Sequence, residues 1–137
     1  MVCIYCGGPT HVTNSRAQKR IGHIWRRRAC KACNAVFTTI ESADLSASLM
    51  ITRPETGQIE SFSRDKLFMS LVQALGHRSD SLEAADAIAA TITTQLLKSR
   101  PGASIEVSAI RTVAYTALSR FDAAAAVSYA AYHKSIG

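Results

Sequence analysis

Apolar residues follow different periods in the two parts of this chain. After Ser63 they recur every three to four positions, the spacing of one helix face. Four helices are predicted there. Ser63 caps the first, whose face is Leu67, Phe68, Leu71, Val72 and Leu75, with Gly76 at its end. Asp80 and Glu83 form a capping box for the second, which carries Leu82, Ala85, Ile88, Ala89, Ile92 and Leu96 and stops at Pro101-Gly102. Ser108 caps a third with Ile110, Val113, Ala114, Ala117 and Leu118, and Asp122 caps a fourth with Val127, Ala130 and Ala131. Upstream of them, Leu49–Arg53 and Gln58–Phe62 flank the turn Pro54-Glu55-Thr56-Gly57 and read as a β-hairpin.

The earlier residues lack the helical period. His11–Arg16, Ile21–Arg28 and Ala35–Ile40 carry β-branched and aromatic residues between turn signals and read as short strands. Between the two patterns, Ser42–Ser48 is small, polar and linker-like. The predicted domains are therefore residues 1–46 and 47–137. The fold class is α+β: a small β module, then a mainly helical domain that opens with a hairpin.

The cysteines explain how so small a β module folds. About 45 residues with few large apolar groups need a metal or other staple. Cys3-x2-Cys6 and Cys30-x2-Cys33 are two identical chelating pairs, and two such turns close a tetrahedron around one Zn²⁺. Gly7 and Asn34 follow the second cysteine of each pair; both residue types tolerate the positive φ a metal knuckle commonly needs there. Four thiolates leave no open coordination position, so the zinc is expected to be structural. With four cysteines in place, neither His11 nor His23 is needed as a ligand. Iron–sulfur ligation is open to four cysteines, but the paired spacing favours zinc. A redox pair of the thioredoxin kind would need a βαβ setting, which the pattern lacks.

Charge adds a partner. The net charge is +6, and its distribution is uneven. Residues 1–48 hold seven cations (Arg16, Lys19, Arg20, Arg26, Arg27, Arg28 and Lys31) against Glu41 and Asp44, so the excess belongs almost wholly to the cysteine module. This asymmetry points to a polyanion. Ile24-Trp25-Arg26-Arg27-Arg28 precedes the second cysteine pair, and strand alternation puts Arg26 and Arg28 on one side, Arg27 and Trp25 on the other. Guanidinium groups suit bidentate contacts to phosphate or guanine. The alternative is a solvated basic face, but three consecutive arginines on a metal-stapled hairpin exceed what solubility requires. Trp25 reads either as core packing or as a base-stacking platform. There is no apolar run of about 18 residues and no signal-peptide layout at the N-terminus. A cytoplasmic location, with its cysteines reduced, is the expectation. No catalytic triad, open metal site or glycine-rich phosphate loop is visible, so no enzyme is expected.

The order of these motifs resembles a known family. The N-terminal Cys-x2-Cys, Asn14-Ser15-Arg16, Arg26-Arg27-Arg28-Ala29-Cys30-x2-Cys33 and Phe37-Thr38-Thr39-Ile40-Glu41 look like the zinc ribbon of the NrdR repressors of ribonucleotide reductase genes. Met50–Arg53, Glu60–Leu67 and Ala125–Ile136 are similar to that family's ATP-cone. The resemblance implies a repressor whose ribbon binds paired boxes in double-stranded operator DNA and whose cone binds ATP or dATP, changing its homo-oligomeric state. It implies that Met50 faces the base and that Arg53 and Lys66 reach phosphates. The chain departs from the pattern where Thr52 replaces a lysine and where Ala126 and His133 replace tyrosines; Tyr129 and Tyr132 remain nearby. The candidate nucleotide residues are thus Met50, Thr52, Arg53, Lys66 and Tyr129. A second reading is an RNA-binding or ribosome-associated zinc ribbon with a structural helical domain.

Overall fold

The computed structural model describes residues 1–20, 22–99 and 102–133. Ile21, Pro101 and the 134–136 end of the expected cone match lie outside the described residues. The chain divides into two compact units, Met1–Asp44 and Leu45–Gly137. The division falls before the end of the expected linker. Leu45–Ser48 forms a single helical turn, α1, whose Leu45 carbonyl accepts from the Leu49 amide at 2.9 Å. Leu45 packs on the core of the second unit and Leu49 is buried in it. Spacing of i to i+4 puts both leucines on one face, which outweighs the small polar residues between them.

In the first unit, strands β1 (Thr10–Gln18), β2 (His23–Cys30) and β3 (Val36–Glu41) form an antiparallel sheet in that order. The strands lie where expected, with β1 longer at both ends. A bulge between Val12 and Asn14 leaves Thr13 out of the ladder, and its hydroxyl donates to the Arg27 carbonyl at 3.2 Å. Among the described residues here, the buried ones are Cys3, Cys30 and Phe37, with Ala35 packed against them. Such a core is too small to fold the unit by apolar burial alone.

In the second unit, β4 (Met50–Arg53) pairs antiparallel with β5 (Gln58–Ser61), giving the expected hairpin. On its other edge β4 pairs in parallel with β6 (Ser104–Glu106), which the sequence pattern did not reveal. Three residues show no alternation, and the pairing joins segments about fifty positions apart in the chain. Ile105, at the centre of β6, is fully buried. Helices α2 (Arg64–Ala74), α3 (Ser81–Ser99), α4 (Val107–Phe121) and α5 (Ala123–Tyr132) pack around Leu71, Leu75, Ile92, Leu96, Ile105 and Leu118.

Caps and faces differ from expectation in several places. Ser63 does cap α2, accepting from the Lys66 amide at 3.2 Å. Asp80 instead makes a two-oxygen pair with Arg78, at 2.8 and 2.9 Å. Ser108 lies inside α4, which starts earlier because β6 runs straight into it; the N-cap is Glu106, to which the Ser108 hydroxyl donates. On α5 the buried face is Ala125, Ala126 and Tyr129, whereas Val127 is 69% exposed. Small alanines let this helix approach its neighbours closely, and Tyr129 supplies the bulk. Leu82, expected on the buried face of α3, is exposed.

Asp122 joins two helical corners. It caps α5 through the Ala125 amide at 3.0 Å and accepts from His77 (3.0 Å) and Arg78 (3.2 Å). Arg78 also lies over the Phe121 ring, 4.9 Å from its centre. The Ala125 amide, then His77 and Arg78, outweigh burial and hold the Asp122 carboxyl down at about 2, below its ordinary 3.8. A depressed folded-state pKa contributes stability above pH 3.8 that is lost as pH falls toward 2. Asp122→Ala is expected to lower the melting temperature by several degrees at neutral pH. That difference shrinks on acidification through the same window, as thermal melts from pH 7 to pH 2 will read. A gap that persists at pH 2 would place the effect elsewhere.

Candidate metal centre, basic sheet and anion cleft

The two cysteine turns meet. The sulfurs of Cys3, Cys6, Cys30 and Cys33 all lie within 4.8 Å of one another. Cys3 Sγ is 3.8 Å from Cys33 Sγ, and Cys6 Sγ is 3.5 Å from Cys30 Sγ. A tetrahedron of sulfurs with Zn–S bonds of about 2.3 Å has edges of about 3.8 Å, so the four fit one zinc ion. The knuckles are organised by their own backbone. The Tyr5 amide donates to Cys3 Sγ at 3.4 Å, and the Ala32 and Cys33 amides donate to Cys30 Sγ at 3.3 and 3.5 Å. Gly7 (φ 73°) and Asn34 (φ 58°) take the positive φ expected of them. Gly8 is needed for a different reason: a Cβ there would sit 2.9 Å from Ala32 Cβ and 3.3 Å from Cys6 Sγ. The Cys33 amide, aided by that of Ala32, outweighs burial and lowers the Cys30 thiol to about 6. His11 and His23 lie on the strands and do not join the cluster.

Strand alternation separates the arginines, as expected, but their surroundings differ. Arg26 and Arg28 lie on the side of Cys30 and are partly buried. Arg26 Nη2 pairs with Glu41 at 2.9 Å, and Arg28 Nε donates to the Thr39 hydroxyl at 3.3 Å. Each gives one donor to a neighbour in the sheet, and Arg26 Nε is buried without a hydrogen-bond partner. Arg27 is exposed on the opposite side. Its register partners are Asn14 and Thr38, and two positions along the strand Arg16 pairs with Trp25. Arg16, Lys19, Arg20 and Lys31 are also exposed. Arg16, Arg27 and the half-buried Trp25 therefore form one cationic sheet face with an aromatic ring in it, and Lys19 and Arg20 extend it at the hairpin tip.

The second unit holds an open cleft with about 610 Å³ of space including its mouth. Its walls come from β4, β5, α2, α4 and α5. Arg53, Lys66 and Tyr129 line it, whereas Met50 and Thr52 do not. Thr52 alternates with Arg53 to the other side of β4, and Met50 follows Thr52. Arg53 and Lys66 stand at one end. At the other, the Tyr129 and His133 rings lie 4.3 Å apart beside Arg111, with Ile110 and Val107 as apolar wall. Burial pushes the Tyr129 hydroxyl up to about 12 and lowers His133. Glu60, Ser70, Arg111 and His133 also line this cleft, beyond the residues the sequence assigns to it. Arg111 carried a usable signal: it is a cation next to Ile110 on the apolar stripe of α4. Glu60 sits diagonally across the hairpin from Arg53 in the observed register, a placement legible once the turn is known.

A four-cysteine zinc ribbon followed by a small α+β unit with a cationic cleft defines the class. Comparison with known proteins then gives the family. Residues 1–41 match the family model described as the N-terminal domain of the transcriptional repressor NrdR-like proteins. The transcriptional repressor NrdR of Leptothrix cholodnii is 34% identical over 136 residues, covering 98% of this chain and 90% of that protein. That of Methylorubrum extorquens is 33% identical, with 98% and 72% covered, and that of Dechloromonas aromatica 38% identical, with 71% and 62% covered. The chain belongs to the NrdR family, which is a family of transcriptional repressors with a structural zinc ribbon and not of enzymes.

Proposed function

We propose that this chain is a transcriptional repressor whose zinc ribbon binds double-stranded operator DNA and whose second unit senses ATP or dATP. The observation that carries the first half is the exposed face of Arg16, Arg27 and Trp25, held beside a metal-stapled fold. Guanidinium groups on a rigid sheet can contact phosphates and read guanine edges. A ribbon this small reaches few bases, so a homo-oligomer on paired sites would supply affinity and specificity. Ribonucleotide reductase genes are the expected targets, and a cytoplasmic location goes with that reading. Among the described residues, no helix is long and apolar enough to cross a membrane.

Support for the second half is the cleft's polarity. Arg53 and Lys66 suit a polyphosphate, and the Tyr129–His133 end suits a planar base. Binding acts on DNA affinity if the nucleotide prefers one oligomeric form over another. The test is calorimetric titration with ATP and dATP, combined with sedimentation. Binding with a shift in mass is expected, and Lys66→Ala is expected to weaken it about tenfold or more, the loss of one charge-assisted hydrogen bond. No heat and no shift with either nucleotide would remove the sensing half of the proposal.

A further inference from the structure

We propose that Glu60 is a built-in counter-anion that occupies the phosphate end of the cleft in the free chain and is displaced by an incoming polyphosphate. This rests on the nucleotide reading above. Glu60 uses one carboxylate oxygen on each cation: Oε1 is 2.9 Å from Arg53 Nη2, and Oε2 is 2.6 Å from Lys66 Nζ. The hydrogen bond from Lys66, then that from Arg53, holds its carboxyl below the ordinary range. It is therefore ionised wherever nucleotides are. The same three residues line both the cleft and a shallow recess that adjoins it at the β4–β5 hairpin.

A phosphate needs the donors that Glu60 now holds. The backbone cannot replace them at Lys66, because the Lys66 amide already donates to the Ser63 hydroxyl. Each of the two side chains gives Glu60 one donor and keeps others, so a phosphate would compete with Glu60 for the same two cations. The contact is also weak enough to yield. The Lys66 side chain is 71% exposed and Glu60 is 34% exposed. The Lys66 pair is open enough to water to contribute little to stability, whereas the Arg53 pair is about two-thirds covered. With Glu60 present, an anion meets one net positive charge at this end of the cleft; without it, two. Glu60 thereby sets the concentration at which nucleotide binds, because an incoming anion competes with an internal one for Arg53 and Lys66.

The test compares the full zinc-loaded chain with Glu60→Gln, using inorganic tripolyphosphate as the probe and ATP in parallel. Glutamine keeps the size and removes the charge. Glu60→Gln is expected to bind tripolyphosphate about tenfold tighter, the scale of one charge-assisted hydrogen bond, with a steeper salt dependence. Glu60→Ala, melting like the parent, should show the same direction. Unchanged or weaker tripolyphosphate binding in both variants would overturn the proposal, the weaker result meaning that Glu60 organises the two cations. If the parent binds ATP in that case, the nucleotide reading survives alone. If neither parent nor variant binds either probe, both readings fall together.

Discussion

Cys30→Ser is expected to unfold residues 1–44 and abolish DNA binding. Among the described residues, the apolar core of that unit is Phe37 and the two buried cysteines, Cys3 and Cys30. Burying one phenylalanine is worth about 1.5–3 kcal/mol, whereas structural zinc in small modules contributes about 10–16 kcal/mol of apparent binding energy. Losing a ligand from the buried half of the cluster removes most of what holds three strands together. Zinc content should fall from one per chain, and the amide resonances of β1–β3 should lose their dispersion. Leu45–Gly137 has its own core of large aliphatic residues and is expected to keep its helical circular dichroism. A Cys30→Ser protein with dispersed β1–β3 resonances would show that the fold does not need the metal.

The second large effect concerns the basic face. Replacing both Arg16 and Arg27 with alanine is expected to lower operator affinity about 100-fold or more, since each charge-assisted contact is worth about 1.5–3 kcal/mol. The slope of affinity against salt should fall by about one for each phosphate that is no longer neutralised. Zinc content and melting temperature should stay as they were, because both side chains are exposed and neither has an ion-pair partner among the described residues. Arg26→Ala makes the contrast. Its guanidinium already pairs with the exposed Glu41, so its loss is expected to cost less operator affinity than the double variant and to change the melting temperature little. Fluorescence anisotropy with a labelled operator duplex reads all three proteins. A double variant that binds DNA like the parent would move the interface off this face. Equal affinity of the parent for duplex DNA of any sequence and for RNA would favour the RNA-binding alternative.

The metal site is fully legible in the sequence, because its information is local. Two Cys-x2-Cys turns, with Gly7 and Asn34 after them, state ligand number, geometry and backbone conformation within a few residues. The hairpin of β4 and β5 and the extents of α2 to α5 are legible for the same reason. What the sequence hides is non-local or small. The strand Ser104–Glu106 exists because Ile51 needs a neighbour across a parallel edge, and three residues carry no sign of that. On α5, Val127 is larger than Ala125 and Ala126, and side-chain size points to the wrong face. Packing chose the small residues. Alternation assigns the arginine faces correctly, but it does not show that Glu41 and Thr39, on the neighbouring strand, occupy Arg26 and Arg28. The cleft has the same character: Arg53 and Lys66 follow from the family resemblance, while Glu60, which ties them together, emerges only from the folded hairpin.

In the proposed function, zinc acts as a scaffold that presents the Arg16–Arg27 face to DNA. Its most direct test is to remove the metal with a chelator and titrate zinc back while following binding to a labelled operator duplex. Affinity absent without metal and restored in full at one zinc per chain is the expected result. Metal-free protein that binds the operator as tightly as the zinc-loaded form would contradict the claim.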